Sequence, residues 1–289
     1  MANLKELRNR ITSIGSTMQI TSAMKMVSAA KLKKAQDAIQ QLRPYANKLR
    51  EILVNISGSI AEGGSPFSEE RDVKTVMLVA ITSNRGLCGA FNANVVKLTK
   101  KTAEAYKKEG REVKIVVIGK KAFDGLKSSG FTIVANHSSV YEEINFARVS
   151  EVAEWIMSEF ALGVVDSVEV LYNQFKNAGV QIPTKEAFLP IKVEADAAQM
   201  SHIKDYLFEP SRAEILEDLI PTTLRTQLFK SVLDSIASEH GARMTAMHKA
   251  TDNAKDLQKG LMLEYNKARQ AAITNEILEI VGGAEALKG

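Results

Sequence analysis

Residues 4–56 read LKELRNRITSIGSTMQITSAMKMVSAAKLKKAQDAIQQLRPYANKLREILVNI. Alternate steps of three and four land on Leu4, Leu7, Ile11, Ile14, Met18, Thr21, Lys25, Ser28, Leu32, Ala35, Ile39, Leu42, Ala46, Leu49, Leu53 and Ile56. Thirteen of these sixteen positions are apolar and the phase never slips. A repeat of about 3.5 residues is that of a helix supercoiled on a partner helix. At about 1.5 Å per residue the stretch predicts a rod of roughly 80 Å. An ordinary globular helix has about 11 residues, so a rod of this length serves reach or the transmission of force.

The C-terminal third carries a second stripe: Phe229, Leu233, Ile236, His240, Arg243, Met247, Ala250, Ala254, Leu257, Leu261, Glu264, Ala268, Ala271, Asn275 and Leu278. No proline follows Pro221. Two stripes at opposite ends of one chain, separated by a compact middle, predict an antiparallel pair. Thr21, Lys25 and Ser28 interrupt the first stripe, and His240 and Arg243 the second. Setting these interruptions side by side makes paired residue numbers sum to about 267 on the heptad positions. Pro210 could then open the second helix, and the N-terminus would face Tyr265. About 20 C-terminal residues would overhang by roughly 30 Å, carrying Ile273, Ile277, Ile280, Val281 and Leu287. Apolar residues on an unpaired tip imply another protein around it.

The 289 residues are 45% hydrophobic and 25% charged, an ordinary composition for a folded chain of two or more domains. Cys88 is the only cysteine, which excludes an internal disulfide and fits a reducing compartment. The longest apolar run, residues 76–81, is far shorter than the roughly 20 residues of a membrane span. Net charge is +4, but residues 1–50 hold ten Lys or Arg against only Glu6 and Asp37, a local charge of +8. Such a bias suits an acidic partner or lining. A polyanion would satisfy the charge too, but Tyr45 is the one aromatic there and offers no stacking platform.

Residues 58–66 (GSIAEGGSP) read as a joint. Beyond them, 73–82, 113–118, 131–135, 168–175 and 180–193 read as strands, the last two as a hairpin around Asn177-Ala178-Gly179. Residues 90–109, 120–129 and 145–162 read as helices. The alternation predicts an α/β layer with a largely parallel, Rossmann-like sheet. The expected division is a coiled-coil helix over 1–58, a central α/β domain over 70–205 and a second coiled-coil helix over 210–287.

The turn from Ser83 to Asn92 lies between a strand and a helix, where a nucleotide-binding fold would cradle phosphate. Its glycines, Gly86 and Gly89, match neither a Walker A motif nor G-x-G-x-x-G, so tight-turn packing is the better reading. Its Cys88 has no family-type histidine partner among His137, His202, His240 and His248, and no Cys/His cluster has zinc spacing. No catalytic, cofactor or metal site is expected. Arg269, Gln270 and Thr274 open the overhang, and Gln270, Thr274 and Ile277 share one face. Arginine suits bidentate capture of a partner's carboxylate.

Several stretches carry a family resemblance: residues 20–27 (ITSAMKMV), Arg43-Pro44-Tyr45, Gly86-Leu87-Cys88-Gly89, residues 205–210 (DYLFEP), Arg243-Met244, residues 250–254 (ATDNA) and 265–276 (YNKARQAAITNE). Together the chain resembles the gamma subunit of F-type ATP synthase, bacterial type, over essentially its whole length. Asn84 departs from the Asp usual in that family, and no dithiol insert of the chloroplast type is present. The resemblance implies a non-catalytic rotor shaft that couples proton flow through a membrane c ring to conformational cycling of catalytic beta subunits. Implied partners are the alpha and beta subunits, the epsilon subunit and the c-subunit ring, with no cofactor and no nucleic acid. The implied contact residues with the catalytic head are Met24, Lys25 and Arg243, and, at an upper catch, Arg269, Gln270, Thr274 and Glu276. Tyr206 and Glu209 would lie at the foot. Met1 and the lack of an Arg- and Ser-rich leader favour the cytoplasmic face of a bacterial inner membrane. The rival readings are an α/β nucleotide-binding enzyme with a coiled-coil arm, and an RNA-binding arm on the basic helix.

Overall fold

The computed structural model describes residues 4–57, 66–69, 71–191, 209 and 211–286. Most of the joint read at 58–66 and the sites Tyr206, Pro210 and Leu287 lie outside the described residues. In chain order the elements are α1 (Leu4–Ser57), β1 (Thr75–Ile81), α2 (Phe91–Lys108), β2 (Glu112–Ile118), α3 (Lys120–Leu126), β3 (Thr132–Asn136), a 3-10 turn (Ser138–Tyr141), α4 (Phe146–Ala161), β4 (Ser167–Asn177), β5 (Val180–Leu189) and α5 (Arg212–Ala286). By packing the chain divides into two compact units, Met1–Ser28 with Met244–Gly289, and Ala29–Arg243.

The unit Ala29–Arg243 is built on one sheet of order β3-β2-β1-β4-β5. Its first four strands are parallel, and β5 pairs antiparallel with β4 at the edge. Every residue from Val76 to Ile81 in β1 is buried, as expected for a central parallel strand covered on both faces. Val76, Leu78 and Ala80 join Val95 and Ala103 of α2 and Ala122 and Leu126 of α3 in one apolar cluster. Each fully buried valine or leucine among them contributes roughly 1.5–3 kcal/mol. Met77, Val79 and Ile81 point to the opposite face by strand alternation. The β4–β5 hairpin turns where expected, because Asn177 Oδ1 accepts the N–H groups of Gly179 and Val180 at 3.0 and 2.8 Å. Strand β5 ends at Leu189, short of the residue 193 expected.

α5 starts at Arg212, after Ser211. The Ser211 hydroxyl accepts the Glu214 N–H at 3.3 Å and lies 3.2 Å from the Glu214 carboxylate, a capping box in sequence S-x-x-E. Pro44 and Pro221 both sit inside helices, where each removes one N–H from the ladder without ending it. From Ser231 to Glu239 every residue of α5 is buried. A one-sided heptad stripe does not predict this, and the sheet supplies the difference. Ser238 Oγ donates to the Asn173 carbonyl of β4 at 2.9 Å, and Gln227 Nε2 donates to Glu186 and the Ala187 carbonyl of β5. At Gly241 a Cβ would meet Ala178 Cα at 3.2 Å and the Phe175 ring at 3.3 Å. A residue without a side chain lets α5 run this close to the hairpin.

In the other unit the two chain ends pair antiparallel. Arg8 Nη2 donates to Tyr265 Oη at 3.0 Å, the Thr21 and Thr251 hydroxyls lie 2.8 Å apart, and a Cβ on Gly15 would sit 3.2 Å from Gln258 Nε2. Paired numbers therefore sum to 272–273, and the register of about 267 is corrected by about one and a half turns. Of the fifteen α1 heptad positions with described side chains, none is exposed. The α5 seam runs through Met247, Thr251, Ala254, Gln258, Leu261, Tyr265 and Ala268, whereas Leu257 and Glu264, assigned to it from sequence, are exposed.

Candidate functional site

The sheet reverses its strand order beside β1, which makes the crevice at the C-terminal ends of β1 and β4 its switch point. The turn Ser83–Ala90 occupies that place and is tied down from within. Ser83 N–H donates to Asn92 Oδ1 at 3.0 Å, and Ser83 Oγ lies 2.6 Å from the Arg85 carbonyl. Asn92 Nδ2 donates to Cys88 Sγ at 3.2 Å. Asn84 uses both ends of its amide: Nδ2 donates to the Ser138 carbonyl at 3.0 Å, and Oδ1 accepts the Lys120 N–H at 2.8 Å. Leu87 is held at φ 63° with its side chain 66% exposed.

α5 closes the crevice from the side. Arg243, only 7% exposed, donates through Nε and Nη2 to the Gly86 carbonyl at 3.3 and 3.1 Å, and through Nη2 to the Arg85 carbonyl at 3.2 Å. Its Nη1 donates to Glu239 at 2.6 Å and lies 3.3 Å from His240 Nδ1. Burial pushes the Glu239 carboxyl up, opposed by the adjacent Arg243 charge. Burial, then the charges of Arg243 and Lys31, push His240 down to about 4. The imidazole is therefore neutral at ordinary pH, and its Nδ1 can accept from Arg243. Burial also raises Cys88, so its thiol is inert packing. On the side facing α5 the carbonyls of the turn are taken by the chain's own Arg243.

Of the contact residues expected from sequence, Met24 and Lys25 are half-buried on α1, and Arg269, Gln270, Thr274 and Glu276 are exposed on α5. Thr274 Oγ1 donates to the Gln270 carbonyl one turn back, at 2.9 Å. Every residue from Arg269 to Ala286 is exposed, including Ile273, Ile277, Leu278, Ile280 and Val281. Glu209 is exposed. Arg243 is different, since its guanidinium is committed inside its own unit. Sequence reading missed Glu239, whose signal was its i, i+4 spacing to Arg243.

The ATP synthase family profile matches residues 3–287. Relatives named ATP synthase gamma chain align over the full length of both chains: 58% identical from Flavobacterium psychrophilum, 57% from Flavobacterium johnsoniae and 44% from Desulfotalea psychrophila. The chain belongs to the ATP synthase gamma-chain family. Solved relatives agree in fold. A chain of the Euglena gracilis mitochondrial ATP synthase rotor is 20% identical with a TM-score of 0.65, covering 93% of this chain and 98% of its own. A chain from the central stalk and c ring of the Tetrahymena thermophila mitochondrial enzyme is 24% identical with a TM-score of 0.59, covering 80% and 99%. Within a gamma-chain fold, the turn after β1 is joined to α5 by the Arg243 hydrogen bonds.

Proposed function

We propose that this chain is the central shaft of a bacterial F-type ATP synthase, turning with a membrane c ring and driving beta subunits through their conformations. The observation that carries the reading is the bare end of α5, Arg269–Ala286, exposed at every residue and rich in large aliphatic side chains. An apolar helix of this kind is matched to a surrounding protein sleeve, where few directional bonds oppose rotation. The alpha and beta subunits form that sleeve. Arg269, Gln270, Thr274 and Glu276 contact beta there, Met24 and Lys25 contact it lower down, and Tyr206 and Glu209 lie towards epsilon and the c ring. The chain itself is non-catalytic and peripheral, on the cytoplasmic face of the inner membrane. Among the described residues no helix is long and apolar enough to cross a bilayer.

The test is ATP-driven proton pumping by membrane vesicles carrying the complete complex. Lys25→Glu should cut pumping severalfold while the isolated chain keeps its melting temperature, because Lys25 is half-buried at a polar break and not in an apolar layer. Wild-type pumping in that variant would count against the contact. Failure of the wild-type chain to assemble with alpha and beta subunits would overturn the rotor reading itself.

A further inference from the structure

Arg243 is a buried guanidinium with all five N–H groups facing an acceptor: Gly86 twice, Arg85, Glu239 and His240. Taking such a charge out of water is costly unless every donor is filled, and here the acceptors come from two separate elements. Glu239 and His240 belong to α5, like Arg243 itself. The Arg85 and Gly86 carbonyls belong to the turn after β1. That turn carries backbone strain, since Leu87, next to Gly86, holds a left-handed φ of 63°. A non-glycine residue stays there only where its surroundings over-determine it. Arg243 is also the last residue of the unit Ala29–Arg243, so these bonds lie wholly within that unit.

We propose that Arg243 is a positioning residue: oriented by Glu239, it latches the 84–89 turn to α5, so that a twisting load on the helix passes into the sheet. The inference rests on the rotor reading for its purpose, but its geometry stands alone. Three N–H···O=C bonds from one fork resist rotation of α5 about its own axis, because any such rotation carries the guanidinium sideways off both carbonyls. A lysine keeps the charge but lacks the fork. A latch therefore fails in Arg243→Lys about as badly as in Arg243→Gln, whereas a residue needed only for its charge would tolerate lysine.

Amide hydrogen exchange on the isolated full-length chain tests the latch. Exchange at the amides of Ser83 and Phe91, which donate to Asn92 Oδ1 and the Cys88 carbonyl at either end of the turn, should rise at least about tenfold in both Arg243→Lys and Arg243→Gln, the equivalent of one lost hydrogen bond to a charged group. Glu239→Gln keeps an acceptor for Nη1 and should raise exchange less. If Arg243→Gln melts too low to measure, Arg243→Lys and Glu239→Gln carry the comparison. Unchanged exchange in these variants would overturn the latch. In the complete complex, ATP-driven pumping should fall in Arg243→Lys as it does in Arg243→Gln, and full pumping with lysine would also overturn it. A wild-type complex that does not pump would sink the rotor reading while leaving the exchange result intact.

Discussion

At the scale of single residues, Asn84 and Asp234 each make a measurable statement. The Asn84 amide ties the turn after β1 to two others, donating to the Ser138 carbonyl and accepting from the Lys120 N–H. An aspartate could accept the second bond but not donate the first. Asn84→Asp should therefore cost about 1 kcal/mol, read as a lower urea midpoint with an unchanged slope; equal midpoints would refute the bridging role. Asp234 is buried on α5, and burial pushes its carboxyl up to about 6 from 3.8, with Lys230 and Arg43 opposing the rise and Glu186 adding to it. Between those values the folded chain binds the proton more tightly than the unfolded chain, so this residue's contribution to stability falls as pH rises through the window. Asp234→Asn should be more stable than the parent by about 3 kcal/mol at alkaline pH, with the gap closing as pH falls below the window. A gap that widens in acid would show the sign to be wrong.

At the scale of elements, the coil decides its register through polar contacts that apolar spacing does not reveal. Thr21 meets Thr251 at 2.8 Å and Arg8 meets Tyr265 at 3.0 Å, and a polar pair in a seam fixes which layers face each other. Leu261 is 7% exposed and Leu257 56%. Leu261→Asp should cost about 3 kcal/mol or more, and Leu257→Asp less than about 0.5 kcal/mol. Thermal melting that shows comparable losses at both would restore the stripe read from sequence, which held both residues. Both helices, the five strands and the hairpin were legible because hydrophobic period and turn chemistry are local. The register was not, because Thr251, Gln258 and Tyr265 look polar or amphipathic in sequence and only their partners show them to lie along the seam. Arg243 misled for the same reason. A charged residue in a stripe reads as a break to be set beside the other helix until the carbonyls of Arg85 and Gly86 are found across from it. The bare helix end from Arg269 onward was legible because the first stripe is too short to cover it.

At the scale of the whole molecule, the family and the antiparallel pairing of the chain ends describe a shaft. Introducing cysteines at Thr21 and Thr251 in a Cys88→Ser background should give a disulfide in high yield on oxidation. A pair at 21 and 246, matched to a sum of 267, should not. The bridge joins two helices that are already neighbours, so closing it should leave rotation free. The decisive measurement is single-molecule rotation in the assembled complex, with the alpha and beta subunits immobilised and a bead fixed to this chain. On addition of ATP the bead should turn in one direction, at the same speed with the 21–251 bridge open or closed. A bead that stays still, or that stalls only when the bridge closes, would contradict the shaft.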